Sequence, residues 1–431
     1  MVPAARIAAA IEVVADIDAR RRPAADALKD WGLSHRFAGS GDRAAIATLV
    51  YDALRRRASS RWLMGGETAR DTVLGMLVLA RGLDRAAIAS LFSGERFAPD
   101  PLTETEAAAL DAARLAQAPA FVQADVPEWL WPDFEAAFGA DAIAEGRALA
   151  ERAPLDLRTN TLRTSRDVLK AALAPIGAVE TPHSPWGLRV PLGPDGRGPS
   201  VQSEPTFIEG HFEIQDEGSQ IAALIAAARP GETVLDLCAG AGGKTLELAA
   251  AMANEGRIIA TDSDMRRLAP IHDRLKRAGA TLVDVRTPRG KGLPIEDLAG
   301  TVDLALVDAP CSGSGTWRRN PDAKWRMRPN SLADRQKDQA TVLEAAARTV
   351  KPGGRLIYVT CSVLMRENDE AVAGFIARHR GFAVVSPAEA AEKAGLGALG
   401  AFRSGAKLGL QLTPHRCGTD GFFISVLRRT A

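Results

Sequence analysis

Apolar residues recur at helical spacing through residues 1–125. Ile7, Ile11 and Val14 fall at i, i+4 and i+7. Ile46, Leu49, Val50 and Leu54 form a second stripe, with Asp42 placed to cap it. Strand-like alternation is nearly absent there. Residues 126–213 change character: a helix is predicted over Asp133–Ala150, and LDLRTNTLRTSRDVLKAALAPIG reads as strand, turn and helix. Proline and glycine crowd Pro182 to Pro205, which marks loops or hairpin turns. From residue 214 onward the pattern alternates between strand and helix. Candidate strands are Thr233–Cys238, Arg257–Thr261, Val302–Val307, Gly354–Thr360 and Gly421–Leu427. That alternation predicts a parallel sheet with crossover helices. The expectation is an α/β chain of three parts: a helical domain over 1–125, a small α+β module over 126–213, and a Rossmann-like domain over 214–431.

Composition adds limits. With 46% hydrophobic and 25% charged residues over 431 positions, the chain has enough apolar material for sizeable cores. A net charge of +1 does not announce a polyanionic partner, so any nucleic-acid footprint must be local. Residues 20–61 supply a candidate, with ten Arg or Lys against four Asp. They suit RNA phosphate contact, or equally a solvated helix face. The four cysteines, Cys238, Cys311, Cys361 and Cys417, show no C-x-x-C spacing. Neither a zinc site nor a disulfide framework is expected, and no metal. Glu12 and Asp16 interrupt the N-terminal apolar stretch, and the run Val73 to Ala80 is far short of a bilayer span. A cytoplasmic chain with no membrane segment is the expectation.

The segment TVLDLC runs into AGAGGKTLELAAAM: a strand, a tight loop with Gly240, Gly242 and Gly243, then a helix. The next strand ends at Asp262, where an acid can accept hydrogen bonds from a ribose diol. A phosphate-binding P-loop fails because Cys238 stands where its first glycine is needed. A dinucleotide fingerprint fails because Thr245 replaces its third. What remains is a methyltransferase-type loop whose ligand carries no pyrophosphate. Asp236 suits a site facing a sulfonium cation and an amine. S-adenosylmethionine is the cofactor this reading implies.

Cys311 follows one predicted strand in DAPCSGSG, and Cys361 follows another in TCS. In a doubly wound sheet both would reach the carboxyl edge where ligands bind. Carbon 5 of cytosine is a poor nucleophile. A thiolate adding to carbon 6 makes the ring enamine-like, so carbon 5 can attack a methyl donor. Asp308 is placed to stabilise the protonated ring. The nucleophile should be a thiolate in electropositive surroundings. Cys417 reads as structural, and Cys238 as offering only backbone contact. Downstream, Arg318, Arg319, Lys324, Arg326 and Arg328 interleave with Trp317 and Trp325. This composition suits single-stranded nucleic acid, or else a surface loop with two core-facing tryptophans.

LDLCAGAGGKT, DAPCSGSGTWRRNPDAKWR and TCSVLMREN resemble the signature blocks of the Nop/Sun RNA (cytosine-5) methyltransferases, most closely the bacterial RsmB (Fmu) type that modifies small-subunit ribosomal RNA. RTNTLRTSRDVL resembles that family's RNA-binding motif, which implies RNA contacts from Arg158, Asn160 and Arg163. FIEGHFEIQDEGSQIAA and PHRCGTDGFFISVLRR resemble the opening block and closing strand of its catalytic domain. The basic helical start is similar to its NusB-like domain. The resemblance implies Cys361 as nucleophile, Cys311 as an aid to product release, and Asp308 at the target cytosine. It implies Cys238, Ala239, Gly240, Ala241, Gly242, Gly243, Lys244, Asp262 and Asp308 around the cofactor, with Lys244 also approaching the target base. It implies an RNA partner; the basic and aromatic run offers Arg318, Arg319, Lys324 and Arg326 as RNA contacts, and a monomer is the starting expectation. Two positions depart from the family pattern. Ala241 stands where proline is usual. The Gly-Asp pair that meets the adenine is missing, with Asp284 the nearest acid. Three other readings stay open. In a DNA cytosine methyltransferase Cys311 would be the nucleophile, but its target-recognition insertion is not apparent here. The others are a non-catalytic ribosome-assembly factor and the same chemistry on tRNA.

Overall fold

Helix-forming stretches with one apolar stripe must bury that stripe against each other, and the N-terminal part of the chain does so. The computed structural model describes residues 1–112, 115–193, 196–288 and 292–430, which divide into two compact units. The first joins Met1–Glu151 with Thr316–Arg328, and the second joins Arg152–Gly315 with Pro329–Ala431.

The first unit opens with α1 (Pro3–Arg20), α2 (Ala24–Ser34), α3 (Ser40–Arg55), α4 (Arg57–Met64) and α5 (Ala69–Arg81). Ile7 and Val14 of α1, Ile46, Val50 and Leu54 of α3, and Leu74 and Leu77 of α5 share one core. The two stripes seen in the sequence therefore face each other. A reciprocal Thr68–Asp71 capping box starts α5. Asp42 is not a cap. Gly39 occupies that position, and Asp42 sits in the first turn of α3, where its carboxylate takes the Met1 ammonium at 3.0 Å and Arg6 at 2.8 Å. An acid there also complements the helix dipole. The helix predicted over Asp133–Ala150 is two helices, Trp131–Phe138 and Ala142–Ala150. They break at Gly139, whose φ of +54° leaves the helical region.

Part of the basic stretch 20–61 pairs with acids of the same unit, while Arg21, Lys29 and Arg36 are exposed. Arg22 pairs with Asp16 and Asp30, Arg57 and Arg61 with Asp18, Arg55 with Asp52, and Arg56 with Glu151. Segment 316–328 belongs here too. Trp317 stacks on Phe134 with ring centres 5.6 Å apart, and Trp325 Nε1 donates to the Leu54 carbonyl at 2.6 Å. Lys324 Nζ donates to the carbonyls of Asp125 (2.7 Å) and Arg55 (3.1 Å).

The second unit holds two sheets. In the smaller, β1 (Leu155–Thr159), β2 (Val179–Glu180), β3 (Gly187–Val190) and β4 (Phe212–Ile214) pair in the order β2-β3-β1-β4, all antiparallel. Leu157, Leu188, Val190 and Phe212 bury one face together with Leu169 of the helix Arg166–Ala172. The larger sheet contains β5 (Thr233–Asp236), β6 (Arg257–Ala260), β7 (Val283–Val285), β8 (Val302–Asp308), β9 (Val350–Thr360), β10 (Phe382–Val384), β11 (Leu410–Leu412) and β12 (Phe422–Arg429). Its order is β10-β12-β9-β8-β5-β6-β7, with β11 beside β12. Strands β5 to β9 run parallel and β12 is antiparallel to β9. Both faces are covered. Leu304 and Leu306 of β8 join one apolar cluster, and Ala305 and Val307 join the other. The strand order reverses between β5 and β8, so the crevice at their carboxyl ends is where a doubly wound sheet binds its ligand. The compact units thus divide the chain elsewhere than at 126 and 214: the helices of 131–150 go with the helical part, and the small sheet goes with the large one. Among the described residues no helix is long and apolar enough to cross a membrane.

Candidate active site

The loop after β5 is shaped by glycine geometry. Gly242 has φ +85°, and a Cβ there would lie 2.6 Å from Ile271 Cγ1. Gly240 has φ +50°. A side chain would be strained at either place, and its absence leaves the backbone open to a ligand. The loop is held by bonds from Ala239 N to the Thr261 carbonyl (3.0 Å), from Gly242 N to the Ala239 carbonyl (2.9 Å), and from Arg274 Nη1 to the Ala241 carbonyl (2.8 Å). Arg274 also pairs with Glu213, so a fixed guanidinium anchors Ala241 where a proline ring would otherwise stiffen the turn.

Asp262, at the end of β6, is buried. Its Oδ2 accepts Gly240 N and its Oδ1 accepts Asp264 N, both at 2.9 Å. Each oxygen keeps a second acceptor site for a diol. Asp236 Oδ2 accepts the Thr245 hydroxyl at 2.7 Å, while Oδ1 is buried with no partner. Burial pushes this carboxyl up to about 7. An orphaned carboxylate oxygen under the glycine loop suits a ligand that brings a positive charge or donor, and these residues fit S-adenosylmethionine. Beyond Asp262, Met265, Val285, Arg286, Thr287, Pro288 and Glu296 help line a cavity of about 780 Å³. The sequence reading missed it, because β7 is three residues long and carried no readable alternation.

Lys244, from the first turn of the helix Gly243–Ala251, is buried. It places Nζ 2.7 Å from Asp308 Oδ2 and 5.2 Å from the Phe422 ring centre. Burial alone would lower its ammonium, but the charges of Asp308 and of Cys361 outweigh this and raise it. Lys244 is therefore a permanent cation beside the cysteine.

The sulfur atoms meet as the topology requires. β8 and β9 are neighbouring parallel strands with Asp308 opposite Val359, so the segments that follow them run side by side. Cys311 Sγ and Cys361 Sγ lie 3.3 Å apart, and both residues are half-buried. The hydrogen bond to Cys361, reinforced by burial, holds the Cys311 thiol well above its ordinary range, so Cys311 keeps its proton. Burial raises the thiols of Cys238 and Cys417 as well, which leaves them inert. Cys417 packs in the main core, as its structural reading expected. Backbone of the two cysteine segments also binds directly, Gly315 N to the Cys361 carbonyl at 2.9 Å. A Cβ on Gly315 would fall 2.0 Å from the Gly421 carbonyl oxygen, so only glycine fits.

Several expected site residues go elsewhere. Asp284 pairs with Arg257 (2.7 Å) and Arg286 (3.2 Å) rather than offering a free acid to an adenine. Arg158 is buried, donating to Gln215 Oε1 at 2.6 Å beside Glu247, and Asn160 is buried, donating to the carbonyls of Gly210 and Ala278 at 2.8 Å. These two stitch the small sheet to its surroundings and present no surface to RNA, whereas Arg163 is exposed. Arg318 and Lys324 are buried with Trp317, Arg319 is half-buried, and Arg326 pairs with Asp322 at 3.0 Å. The tryptophans face the helical core, and of the basic residues in 316–328 Arg326 and Arg328 are the exposed ones. The sequence reading also passed over Glu367, Asn368, Ser312 and Ser362, although three of them lie within or beside TCSVLMREN. They form one hydrogen-bonded network beside the thiols, with Ser362, Glu367 and Asn368 buried and Ser312 half-buried.

Residues 223–428 match the family described as 16S rRNA methyltransferase RsmB/F, and residues 126–193 match a ferredoxin-like domain of RsmF/B-like methyltransferases. The chain is 35% identical over 319 residues to the probable ribosomal RNA small subunit methyltransferase B of Synechocystis sp., covering 71% of this chain and 67% of that relative. It is 36% identical over 308 residues to the ribosomal RNA small subunit methyltransferase B of Sodalis glossinidius, covering 69% of this chain and 64% of that one. The crystal structure of PH0851 superposes with a TM-score of 0.73 at 25% identity, over 100% of this chain and 99% of that one. The match thus spans roughly two thirds of the curated relatives' length. On this identity and coverage, the chain belongs to the ribosomal RNA small subunit methyltransferase B family, whose methyl donor is S-adenosylmethionine.

Proposed function

We propose that this protein methylates carbon 5 of a cytosine in small-subunit ribosomal RNA through a covalent bond between Cys361 and carbon 6. The observation that carries the reading is the 3.3 Å approach of Cys361 to Cys311 at the ends of two parallel strands, beside the Lys244–Asp308 pair. Lys244 Nζ, ion-paired with Asp308, supplies a positive charge beside Cys361. The Cys361 sulfur adds to carbon 6, and the double-bond electrons move toward carbon 5. The ring nitrogen takes a proton from solvent as the sulfur adds and returns it when the ring is restored; Asp308, held by Lys244, accepts hydrogen bonds from that N–H and from the exocyclic amine. Bound S-adenosylmethionine supplies an electrophilic methyl group to the activated carbon 5.

Cys311 then has a defined task. Its proton is held chiefly by the hydrogen bond to Cys361. Once Cys361 is in a carbon–sulfur bond, Cys311, 3.3 Å from that sulfur, gives its proton to solvent. Its thiolate can then remove the carbon 5 proton. The electrons of that C–H bond rebuild the ring double bond, and the Cys361 sulfur leaves as thiolate.

The test is to incubate the protein with S-adenosylmethionine labelled in the methyl group and with 16S ribosomal RNA, naked or in small subunits, and to digest the product to nucleosides. Label in 5-methylcytidine supports the proposal. Label in any other nucleoside overturns the cytosine assignment, and no label from a protein that binds the cofactor overturns the catalytic reading.

A further inference from the structure

The segments bearing the two thiols are fifty residues apart in sequence, and few backbone bonds join them. The Glu367 carboxylate joins them more extensively. Glu367 is fully buried in the single turn Met365–Glu367 that follows the Cys361 segment. Its Oε1 accepts Ser312 N at 2.8 Å and Gln339 Nε2 at 3.0 Å. Its Oε2 accepts the hydroxyls of both Ser312 and Ser362. Ser312 directly follows Cys311, and Ser362 directly follows Cys361. The next residue completes the clamp: Asn368 donates to the Ser362 carbonyl at 2.9 Å and accepts the Thr360 hydroxyl at 2.6 Å.

These four donors to Glu367 are neutral; three belong to the residues that follow the cysteines, and the fourth, Gln339 Nε2, also donates to the Pro310 carbonyl just before Cys311 at 3.1 Å. A buried carboxylate surrounded by dipoles is costly unless its acceptor sites are filled. A carboxylate offers about four such sites. An apolar residue could fill the volume but could not bind Ser312 and Ser362 at once. We propose that Glu367 is a positioning residue that sets the spacing of the two thiols, so that Cys311 reaches the methylated base while Cys361 is still attached. It touches no substrate and acts through Ser312 and Ser362. This inference rests on the covalent reading above.

Glu367→Gln keeps the shape and some acceptor capacity but puts an amide NH₂ where an oxygen faced donors. Glu367→Ala removes the clamp, and a Ser312→Ala, Ser362→Ala double variant loosens it from the other side should Glu367→Ala fail to fold. The first readout needs no turnover: the rate at which phenylarsine oxide, a trivalent arsenical, bridges Cys311 and Cys361 in the free protein. The second is the lifetime of the RNA–protein adduct on a denaturing gel. The expected result is slower bridging and a persistent adduct, with kcat down about 10²-fold at unchanged cofactor affinity and KM, since misplacement by about 1 Å has that effect. Glu367→Gln should fall between wild type and Glu367→Ala. Wild-type bridging rate and wild-type adduct lifetime in a folded Glu367→Ala or double-serine variant would overturn the inference. If the bridging rate drops but no wild-type adduct ever forms, the covalent reading has failed while the positioning role stands.

Discussion

Residues 308–315 and 316–328 are consecutive in the chain, equally rich in chemically active side chains, and put to opposite uses. The first stretch ends β8 and places Asp308 and Cys311 half-exposed at the crevice of the large sheet. The second buries Trp317, Arg318 and Lys324 in the helical unit. Basic residues interleaved with tryptophans look like a nucleic-acid grip, yet here the ammonium satisfies two carbonyls and the rings pack against Phe134 and Leu54. The first stretch leaves Asp308 and Cys311 half-exposed, while the adjoining one buries Trp317, Arg318 and Lys324 and exposes Arg326 and Arg328. Residue type announces what a side chain can do, and burial decides which of those things it does.

The sharpest way to break this contrast starts with the proposed nucleophile. Cys361→Ala should lower methyl transfer by at least ~10⁴-fold while cofactor affinity, read by calorimetry, stays near wild type. Activity surviving in Cys361→Ala and lost in Cys311→Ala without trapping would move the nucleophile to the Asp-Ala-Pro-Cys segment. Cys311→Ala should slow turnover about 10²-fold and leave a protein–RNA adduct that survives denaturation, because addition and methylation proceed while release stalls. A simple loss of rate with no adduct would deny Cys311 its part in release.

Within the adjoining stretch, Lys324→Ala should cost roughly 2–4 kcal/mol of stability by stranding two buried carbonyls, and should leave the salt dependence of RNA binding unchanged. A shallower salt slope at unchanged melting temperature would restore Lys324 as a phosphate contact. Its titration gives a second check. Burial lowers this ammonium from 10.5 to about 7 in the folded protein. Between these values the unfolded chain binds the extra proton, so Lys324 makes stability climb as pH rises from 7 toward 10.5. Lys324→Met should flatten that part of the melting-temperature profile, and an unchanged profile would contradict the burial. The smallest effect belongs to Arg326, whose partner Asp322 is one turn away at 3.0 Å and whose own side chain is exposed. Arg326→Ala should shift stability by under ~1 kcal/mol in chemical denaturation. A loss comparable to that of Lys324→Ala would mean the stretch acts as one packed unit regardless of exposure.

Much of the site could be read before the fold was known, because local geometry writes itself into local sequence. The glycine loop needs positive φ, which only glycine takes freely, so Gly240 and Gly242 were visible as a turn into a helix. Strand-then-cysteine patterns put Cys311 and Cys361 at strand ends, and parallel neighbours share an edge. Periodicity gave α1 and α3 their buried stripes. The single helix read over 133–150 failed at Gly139, since a smooth apolar pattern does not reveal one backbone angle.

The sequence by itself determined the chemistry available: a cofactor loop, two thiols, an acid and a lysine, each attached to an element whose end it must occupy. Only the tertiary structure decided which charges stay free. Arg158, Asn160 and Lys324 are polar in any listing of residues, but long-range packing buried them against partners 57, 118 and 199 positions away. It also brought Glu367 beside both thiols. Bonds between residues so distant in sequence leave no local pattern, because burial and pairing depend on what the rest of the chain lays on top of them.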